Sequence, residues 1–186
     1  MTMKSLYSIF ALLILTSATV FAQKTYTTTD DSKVVVKGTS TIHDWESQVE
    51  EFSAELVINE ENENLTIESL SFVAEAKSVK EGKRVMDKKT REALKAGDFP
   101  QITFEMAELV EVTDNSVKVN GTLSIAGVSN TVELSAAYSL GDALVITGSY
   151  PLLMSDYDID PPTAMMGSMK TGDEVTLEFE LTLTEK

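Results

Sequence analysis

Apolar and polar residues alternate with a period of two along most of the chain after residue 22. Side chains of a β-strand point alternately to its two faces, so this period predicts strands with one apolar and one polar face. Clusters of turn-forming Asn, Asp, Gly and Ser separate them. The pattern therefore predicts about nine strands in a single domain over residues 23–186. The predicted strands are 33–37, 39–49, 52–58, 65–76, 101–106, 116–125, 132–138, 143–150 and 175–183.

One segment departs from this alternation. Residues 81–96 are rich in Lys, Arg, Glu and Ala, and we predict a short amphipathic helix that ends at Gly97. Its apolar residues are Val85, Met86, Ala93 and Leu94. Its basic residues are Lys83, Arg84, Lys88, Lys89 and Arg91. The helix is therefore expected to form a positive patch on an otherwise acidic protein.

Many antiparallel strands with one helix are typical of a β-sandwich or a closed β-barrel, and alternation does not separate the two. The predicted strands 65–76 and 116–125 have ten residues or more, against the usual five or six. This length favours a barrel, because long strands close more readily around a cavity. The alternation predicts the following inward side chains: Phe52, Leu56, Leu70, Phe72, Ile102, Phe104, Leu123, Leu134, Ile146 and Phe179.

A second irregular stretch, residues 156–170, contains two prolines and a cluster of methionines. We predict a loop that partly covers the interior of the domain. Methionine suits adaptable apolar surfaces, so Met165 and Met166 are candidates for the mouth of a cavity. Ordinary filling of the core is an equal alternative for them.

The first 22 residues have the three parts of a secretory signal peptide. Lys4 supplies the basic start, residues 6–15 are apolar, and small residues lead to Ala22. The apolar stretch is shorter than the roughly 20 residues that a membrane-spanning helix needs, which disfavours the alternative of a retained anchor. We expect cleavage near Ala22–Gln23 and a periplasmic or secreted chain without stable membrane insertion.

Charge and composition exclude several classes of function. The 186 residues carry a formal net charge of −15, with a pI near 4.4, so the surface repels nucleic-acid backbones. The chain has no cysteine, which excludes disulfides, thiolate metal sites and a cysteine nucleophile. We therefore expect no nucleic-acid partner.

Candidate catalytic and metal-binding chemistry depends on His43, the only histidine. A zinc or copper site needs three or four converging ligands, so we predict no metal and no cofactor. Ser40, His43 and Asp44 lie too close together on one predicted strand to form a Ser-His-Asp relay. We therefore predict no catalytic residue and no enzyme activity. For His43, anchoring of Trp45 or of the helix is preferred to a lid or ligand contact.

Four segments of the chain carry a family resemblance. They are GTSTIHDW at 38–45, the stretch 78–104 that ends in DFPQITF, NGTLSIAGVSNTVEL at 120–134 and MKTGDEVTL at 169–177. In order and spacing they resemble the YceI-like family of polyisoprenoid-binding proteins, over nearly the whole chain after residue 22. The resemblance implies an all-β fold with one short helix: an extended lipocalin-like antiparallel β-barrel of about eight to nine strands. It also implies export and an isoprenoid or other apolar-tailed lipid as ligand.

Two functions from different classes remain open at this point. In the first, the chain is an exported carrier that holds a lipid lengthwise inside the barrel. In the second, the same apolar side chains fill the barrel, and the protein is a structural adaptor that binds protein on its outer face. A continuous cavity in the structure would separate the two. A homodimer stays open in either case.

Overall fold

The structure, a computed structural model, describes residues 23–61, 64–164 and 168–186. The predicted signal peptide, Met165 and Met166 lie outside the described residues. The described chain forms one α-helix, α1 (Arg84–Ala93), and two short 3₁₀ helices, Ala76–Ser78 and Met154–Tyr157. Its strands are β1 (Gln23–Thr28), β2 (Lys33–Ser40), β3 (Trp45–Val49), β4 (Phe52–Glu61), β5 (Asn64–Glu75), β6 (Val79–Lys80), β7 (Gln101–Val112), β8 (Ser116–Ile125), β9 (Val128–Leu140), β10 (Leu144–Leu153), β11 (Thr163–Ala164) and β12 (Met169–Glu185).

Eight of these strands close into an antiparallel barrel. The order around the ring is β1-β4-β5-β7-β8-β9-β10-β12, and pairing of β12 with β1 closes it. Strands β2, β3 and β6 extend the wall, because β2 pairs with β12, β3 with β2 and β6 with β3. The predicted all-β, lipocalin-like barrel with one helix is confirmed.

The structure also corrects the predicted strand list. The predicted strand 39–49 is interrupted at residues 41–44, which form the hairpin connection between β2 and β3. Strand β1, QKTYTT, was not predicted, because Tyr26 is its one large apolar residue and alternation needs several. Yet β1 pairs with both β4 and β12 and so closes the barrel.

The up-and-down order of the strands places both long connections of the barrel at the same end. Residues 113–115 join β7 to β8, and residues 141–143 join β9 to β10. We call this the short-loop end. At the opposite end, the connection from β6 to β7 contains α1, and the connection from β10 to β12 contains Met154–Tyr157 and β11. We call this the helix end.

Helix α1 is three residues shorter at each end than predicted, and the prediction that Gly97 ends it is wrong. The left-handed residue after the helix is Lys95, with φ 49°. The N–H of Ala96 donates to the carbonyl of Arg91 at 3.0 Å, and the N–H of Lys95 donates to Glu92 at 3.0 Å. These two bonds form a Schellman motif, in which the residue after the C-cap is left-handed.

The interior is solidly packed at the short-loop end. Ile58, Leu144 and Leu183 have at most 2% of their surface exposed, and Tyr26 has 7%. Leu144 lies directly opposite Leu183 in the β10–β12 ladder. These four residues belong to the main hydrophobic core. They therefore close this end of the barrel with side chains alone.

Candidate functional site

A cavity of about 410 Å³ occupies most of the barrel and reaches the helix end. This volume is in the range of small-molecule sites in proteins. On β8, the residues that line it extend from Val117 to Ile125. At about 3.3 Å per residue and a tilt of roughly 40°, that separation corresponds to a cavity about 20 Å long.

The cavity contains most of the side chains that alternation predicts to point inward. Those that line it are Leu56, Leu70, Phe72, Ile102, Phe104, Leu123, Leu134, Ile146 and Phe179. Phe52 does not line it, and its ring instead stacks on Phe72 with centroids 5.9 Å apart. The predicted loop contributes Pro162 and Met169 to the lining. Contact of these residues with a ligand stays a prediction.

Aromatic rings on the wall occupy the space beside glycines. A Cβ placed on Gly148 would lie 2.5 Å from the Phe179 ring, and one on Gly121 would lie 2.4 Å from the Phe104 ring. Since these glycines have no side chain, each ring packs close to the wall, which leaves the lumen open. Gly38 makes room for Trp45 in the same way, since a Cβ on Gly38 would lie 2.3 Å from the Trp45 indole ring.

Sequence reasoning missed these glycines, although the signal was present. A glycine inside a strand weakens it unless another group approaches closely. Gly121 lies inside the predicted strand 116–125, and Gly148 lies inside 143–150. Their positions could have indicated where rings pack against the wall.

Polar side chains enter the lining at the helix end. They come from β2, β3 and the connection between them, from α1 and the segment before it, and from the start of β12. The polar lining residues are Ser40, His43, Ser47, Glu81, Lys83, Lys89, Thr90 and Thr171. The cavity therefore has an apolar body and a polar mouth.

Ser47 lies further from the mouth than the other polar residues. It is on β3 between Trp45 and Val49, which also line the cavity, and it is 2% exposed. Among the described residues, none forms a hydrogen bond with its hydroxyl group. A hydroxyl that a bound ligand removes from water costs about 1–3 kcal/mol if it finds no partner, so this group can stabilise a ligand that carries a polar atom.

The prediction that His43 anchors Trp45 is wrong, because the Trp45 indole N–H donates to the Thr39 carbonyl at 3.0 Å. His43 lies in the exposed β2–β3 connection, where Nδ1 bonds to the carbonyl of Asp44 at 2.8 Å. Nδ1 is then the donor, which leaves Nε2 as an acceptor at the mouth. The Ser40 hydroxyl donates to the His43 carbonyl at 2.7 Å and stabilises the turn. The two side chains therefore do not form a relay.

Helix α1 lies across the mouth of the cavity. Met86, Lys89 and Ala93 line the cavity, and their spacing of three and four residues puts them on one helix face. Lys89 Nζ donates to the carbonyl of Thr163 at 2.6 Å, which links the helix to β11. Asp87 Oδ1 accepts the backbone N–H of residue 81 at 2.9 Å and holds the segment before the helix.

A second, more polar cleft of about 430 Å³ lies beside Met154–Tyr157. Strand β10 pairs with β9 only as far as Gly148, and the 3₁₀ helix lies beyond that point. Asn130 Nδ2 donates to the Asp156 carbonyl at 2.8 Å and holds this helix to β9.

Burial raises the pKa of Tyr157 to about 12. Its phenol is therefore protonated at neutral pH and cannot act as a base there.

Within residues 23–61, 64–164 and 168–186, no three His, Cys, Asp or Glu side chains are placed to hold a metal ion. No helix in the same ranges is long and apolar enough to cross a membrane. The expected absence of metal, cofactor and catalytic residues stays a prediction.

Comparison with known proteins gives a family match for the sequence. The YceI-like domain matches residues 25–183, which is most of the chain. No curated protein matches the chain. The family match therefore covers nearly the whole barrel.

Solved structures share the fold. BcnA of Burkholderia cenocepacia is 21% identical, with a TM-score of 0.69 over 82% of this chain and 96% of its own. A polyisoprenoid binding domain from Saccharophagus degradans, implicated in plant cell wall breakdown, is 15% identical, with a TM-score of 0.67 over 89% of this chain and 99% of its own. The YceI protein of Campylobacter jejuni is 20% identical, with a TM-score of 0.59 over 72% and 81%. At these identities the likeness shows a common fold.

Proposed function

The chain belongs to the YceI-like family, and from its cavity we propose that it is an exported, non-enzymatic protein that holds the tail of an isoprenoid or similar amphiphilic lipid inside the barrel. The observation that carries this proposal is the apolar cavity of about 410 Å³ with a polar mouth at one end. The Saccharophagus degradans domain is described as polyisoprenoid binding, which supports this class of ligand.

The shape of the cavity sets how the lipid is oriented. The tail lies along the apolar body, and the headgroup lies at the helix end beside residues such as His43 and Lys83. Ser47, inside the mouth, can form a hydrogen bond with the first polar atom of the ligand. In this arrangement an entirely apolar ligand leaves the Ser47 hydroxyl without a partner, so amphiphiles are favoured.

The length of the cavity, and not the gain in binding free energy, limits how long a bound tail can be. Each buried methylene contributes about 0.8 kcal/mol, so one five-carbon isoprene unit contributes roughly 4 kcal/mol before costs. Eight units would contribute about 30 kcal/mol, beyond the ceiling of roughly 18–21 kcal/mol for non-covalent complexes. A cavity about 20 Å long therefore limits the number of units that can be bound.

The alternative of a filled adaptor barrel has less support. Solid packing is found at the short-loop end, around Leu144 and Leu183, while the rest of the barrel contains the cavity. A filled core would bring side chains from opposite walls into contact along the whole barrel.

Mass spectrometry of lipids extracted from natively purified protein tests the proposed ligand. We expect one class of apolar-tailed lipid in the wild-type protein. Leu134→Trp should retain little of it, because Leu134 lines the cavity and the larger ring occupies the lumen. Leu140→Trp is the matched control on the same strand, since Leu140 is 54% exposed, and it should retain the lipid. Wild-type protein without lipid, or full retention by Leu134→Trp, would contradict the proposal.

Export is tested separately by N-terminal sequencing of protein from the native host. The signal-peptide pattern of residues 1–22 leads us to expect a chain that starts at Gln23. Recovery of the periplasmic protein with Met1 still present would contradict this part of the proposal.

A further inference from the structure

Helix α1 and the residues that flank it carry a concentration of positive charge at the helix end. Residues 83–95 include six basic and two acidic side chains, in a chain with a net charge of −15. Among the described residues, no carboxylate lies within 4.0 Å of a charged nitrogen of Arg84, Arg91 or Lys95. Lys88 pairs with Glu92 at 3.5 Å, but both side chains are more than 60% exposed. Lys83 pairs with Glu81, so we call Arg84, Lys88, Arg91 and Lys95 the basic rim.

Two of the large apolar side chains exposed at this end have neighbours in the chain that line the mouth. Val85 is 69% exposed on α1, between Arg84 and Met86, and Ile42 is 58% exposed at the tip of the β2–β3 connection. Their neighbours Met86 and His43 line the mouth of the cavity. Exposed apolar residues among cations are typical of proteins that bind at the interface of an anionic membrane.

We propose that the helix end docks on the surface of a lipid bilayer that contains anionic headgroups. The basic rim contacts the headgroups, and Val85 and Ile42 enter the interfacial layer. The mouth then faces the bilayer, so a lipid tail can pass between membrane and cavity without crossing water. This last step rests on the proposed function, whereas the docking itself does not.

The negative net charge orients this docking and does not prevent it. Exposed charges are screened over about 8 Å at physiological ionic strength, and the barrel is roughly 25 Å long. Acidic side chains at the short-loop end are therefore screened from a surface in contact with the helix end. The helix end also has acidic side chains outside α1, among them Asp44, Glu50 and Asp156, so α1 is the part of this end that contacts the anionic headgroups. An acidic polypeptide would match the charge of the rim equally well, but it would not require exposed apolar side chains such as Val85 and Ile42, which suit the interfacial layer of a bilayer.

Vesicle flotation with the purified chain tests the docking. We expect binding to vesicles of phosphatidylcholine and phosphatidylglycerol at low salt, much weaker binding at high salt, and none to phosphatidylcholine alone. The double variant Arg84→Glu/Lys88→Glu should bind the anionic vesicles at least about thirtyfold more weakly than the wild type, because each basic residue near the surface contributes to binding. Val85→Ser should give a smaller loss in the same assay.

The matched control is Lys33→Glu/Lys186→Glu, which changes the net charge equally at the short-loop end. It should bind nearly as well as the wild type. An equal loss in both double variants would overturn the proposal, as would a wild-type protein that binds polyglutamate and not the vesicles. A chain that docks but takes up no lipid overturns only the proposed function. A chain that takes up lipid and does not dock overturns only the docking.

Discussion

The two ends of the barrel consist of the same alternating strands, yet one is solid and the other contains the cavity. On β10 the inward residues begin with Leu144 and Ile146 at the short-loop end and continue with Gly148 toward the helix end. Leu144 packs against Leu183, whereas Gly148 gives its space to the ring of Phe179. Side-chain size at inward positions, and not the alternation, therefore decides which part of the barrel is filled.

The two ends of the barrel also differ in the length of the connections between strands. Residues 113–115 and 141–143 are turns of three residues, which leave the short-loop end to be closed by core side chains. The helix end has long connections that bring α1, the β2–β3 hairpin and the segment before β12 to the mouth. A rigid barrel with long loops at one end is a common way to place binding groups.

The largest difference between the ends should appear when a charge is introduced into each. Leu144→Glu buries an unpaired carboxylate in solid core. This costs several kcal/mol, a large part of a total free energy of unfolding of roughly 5–15 kcal/mol, so we expect this variant to unfold. Phe104→Glu faces a lumen that water can enter once the lipid is absent, so it should stay folded and lose lipid. Thermal melts and lipid extraction measure both. Unfolding of Phe104→Glu would indicate a filled barrel, and full lipid retention would mean that this face does not bind it.

Truncation to alanine should also cost more stability at the short-loop end than in the cavity wall, but by a smaller margin than the charged substitutions. Leu183→Ala removes a completely buried side chain and should cost about 3–5 kcal/mol, because the surrounding core cannot collapse around the space. Leu123→Ala enlarges an existing cavity. The Leu123 side chain has fewer packing partners on the side that faces the lumen, so its removal should cost about 2 kcal/mol or less. Urea unfolding gives both values. Equal losses would show that the two halves are packed alike.

Alkaline pH should destabilise the helix end through Tyr157. Its pKa is raised to about 12, above the ordinary value of about 10, so its contribution to stability is complete below pH 10. As pH rises from about 10 to 12, the unfolded state loses the proton first, and a few kcal/mol of the free energy of unfolding is lost at most. Melts across this range should show a weaker pH dependence for Tyr157→Phe. An unchanged slope in this variant would assign the loss to other groups.

The smallest effect on stability is expected where a glycine makes room for a ring. Gly148→Ala should move the Phe179 ring into the lumen and cost about 1–2 kcal/mol, because the ring tip has space to move but the Ser135 carbonyl oxygen, 3.1 Å from the new Cβ, must also shift. Lipid uptake should fall in the same variant. Gly141→Ala is the control, since a Cβ there has no neighbour within 4 Å. Equal lipid uptake by the two variants would show that the ring position does not control access.

Much of the cavity wall was predictable, because a strand side chain must point to one of two faces. Once Leu134 and Phe179 were assigned to the apolar face, closure of the sheet put both inside. Phe52 is the exception: it has the inward parity but stacks on Phe72 and does not line the cavity. Parity gives the side of the sheet on which a residue lies, but not its height along the barrel or its neighbours.

Local patterns were less reliable where several conformations satisfy the same bonds. Gly97 was the expected helix stop, but the chain becomes left-handed at Lys95, because the two Schellman bonds form there. The role of His43 was also misjudged, since residues 41–44 turn where a strand was expected. In both cases the geometry of neighbouring segments outweighed a modest intrinsic preference.

By itself, the sequence determined the faces of the strands, the presence of the helix and the charge of that helix, because each depends on residues close together in the chain. Only the tertiary structure decided that β1 closes the ring, that the cavity stops above Leu144 and Leu183, and that the basic helix lies at its mouth. A cavity exists where side chains from strands far apart in sequence fail to meet. That outcome depends on register and on the pairing of rings with glycines across neighbouring strands, which no local pattern contains.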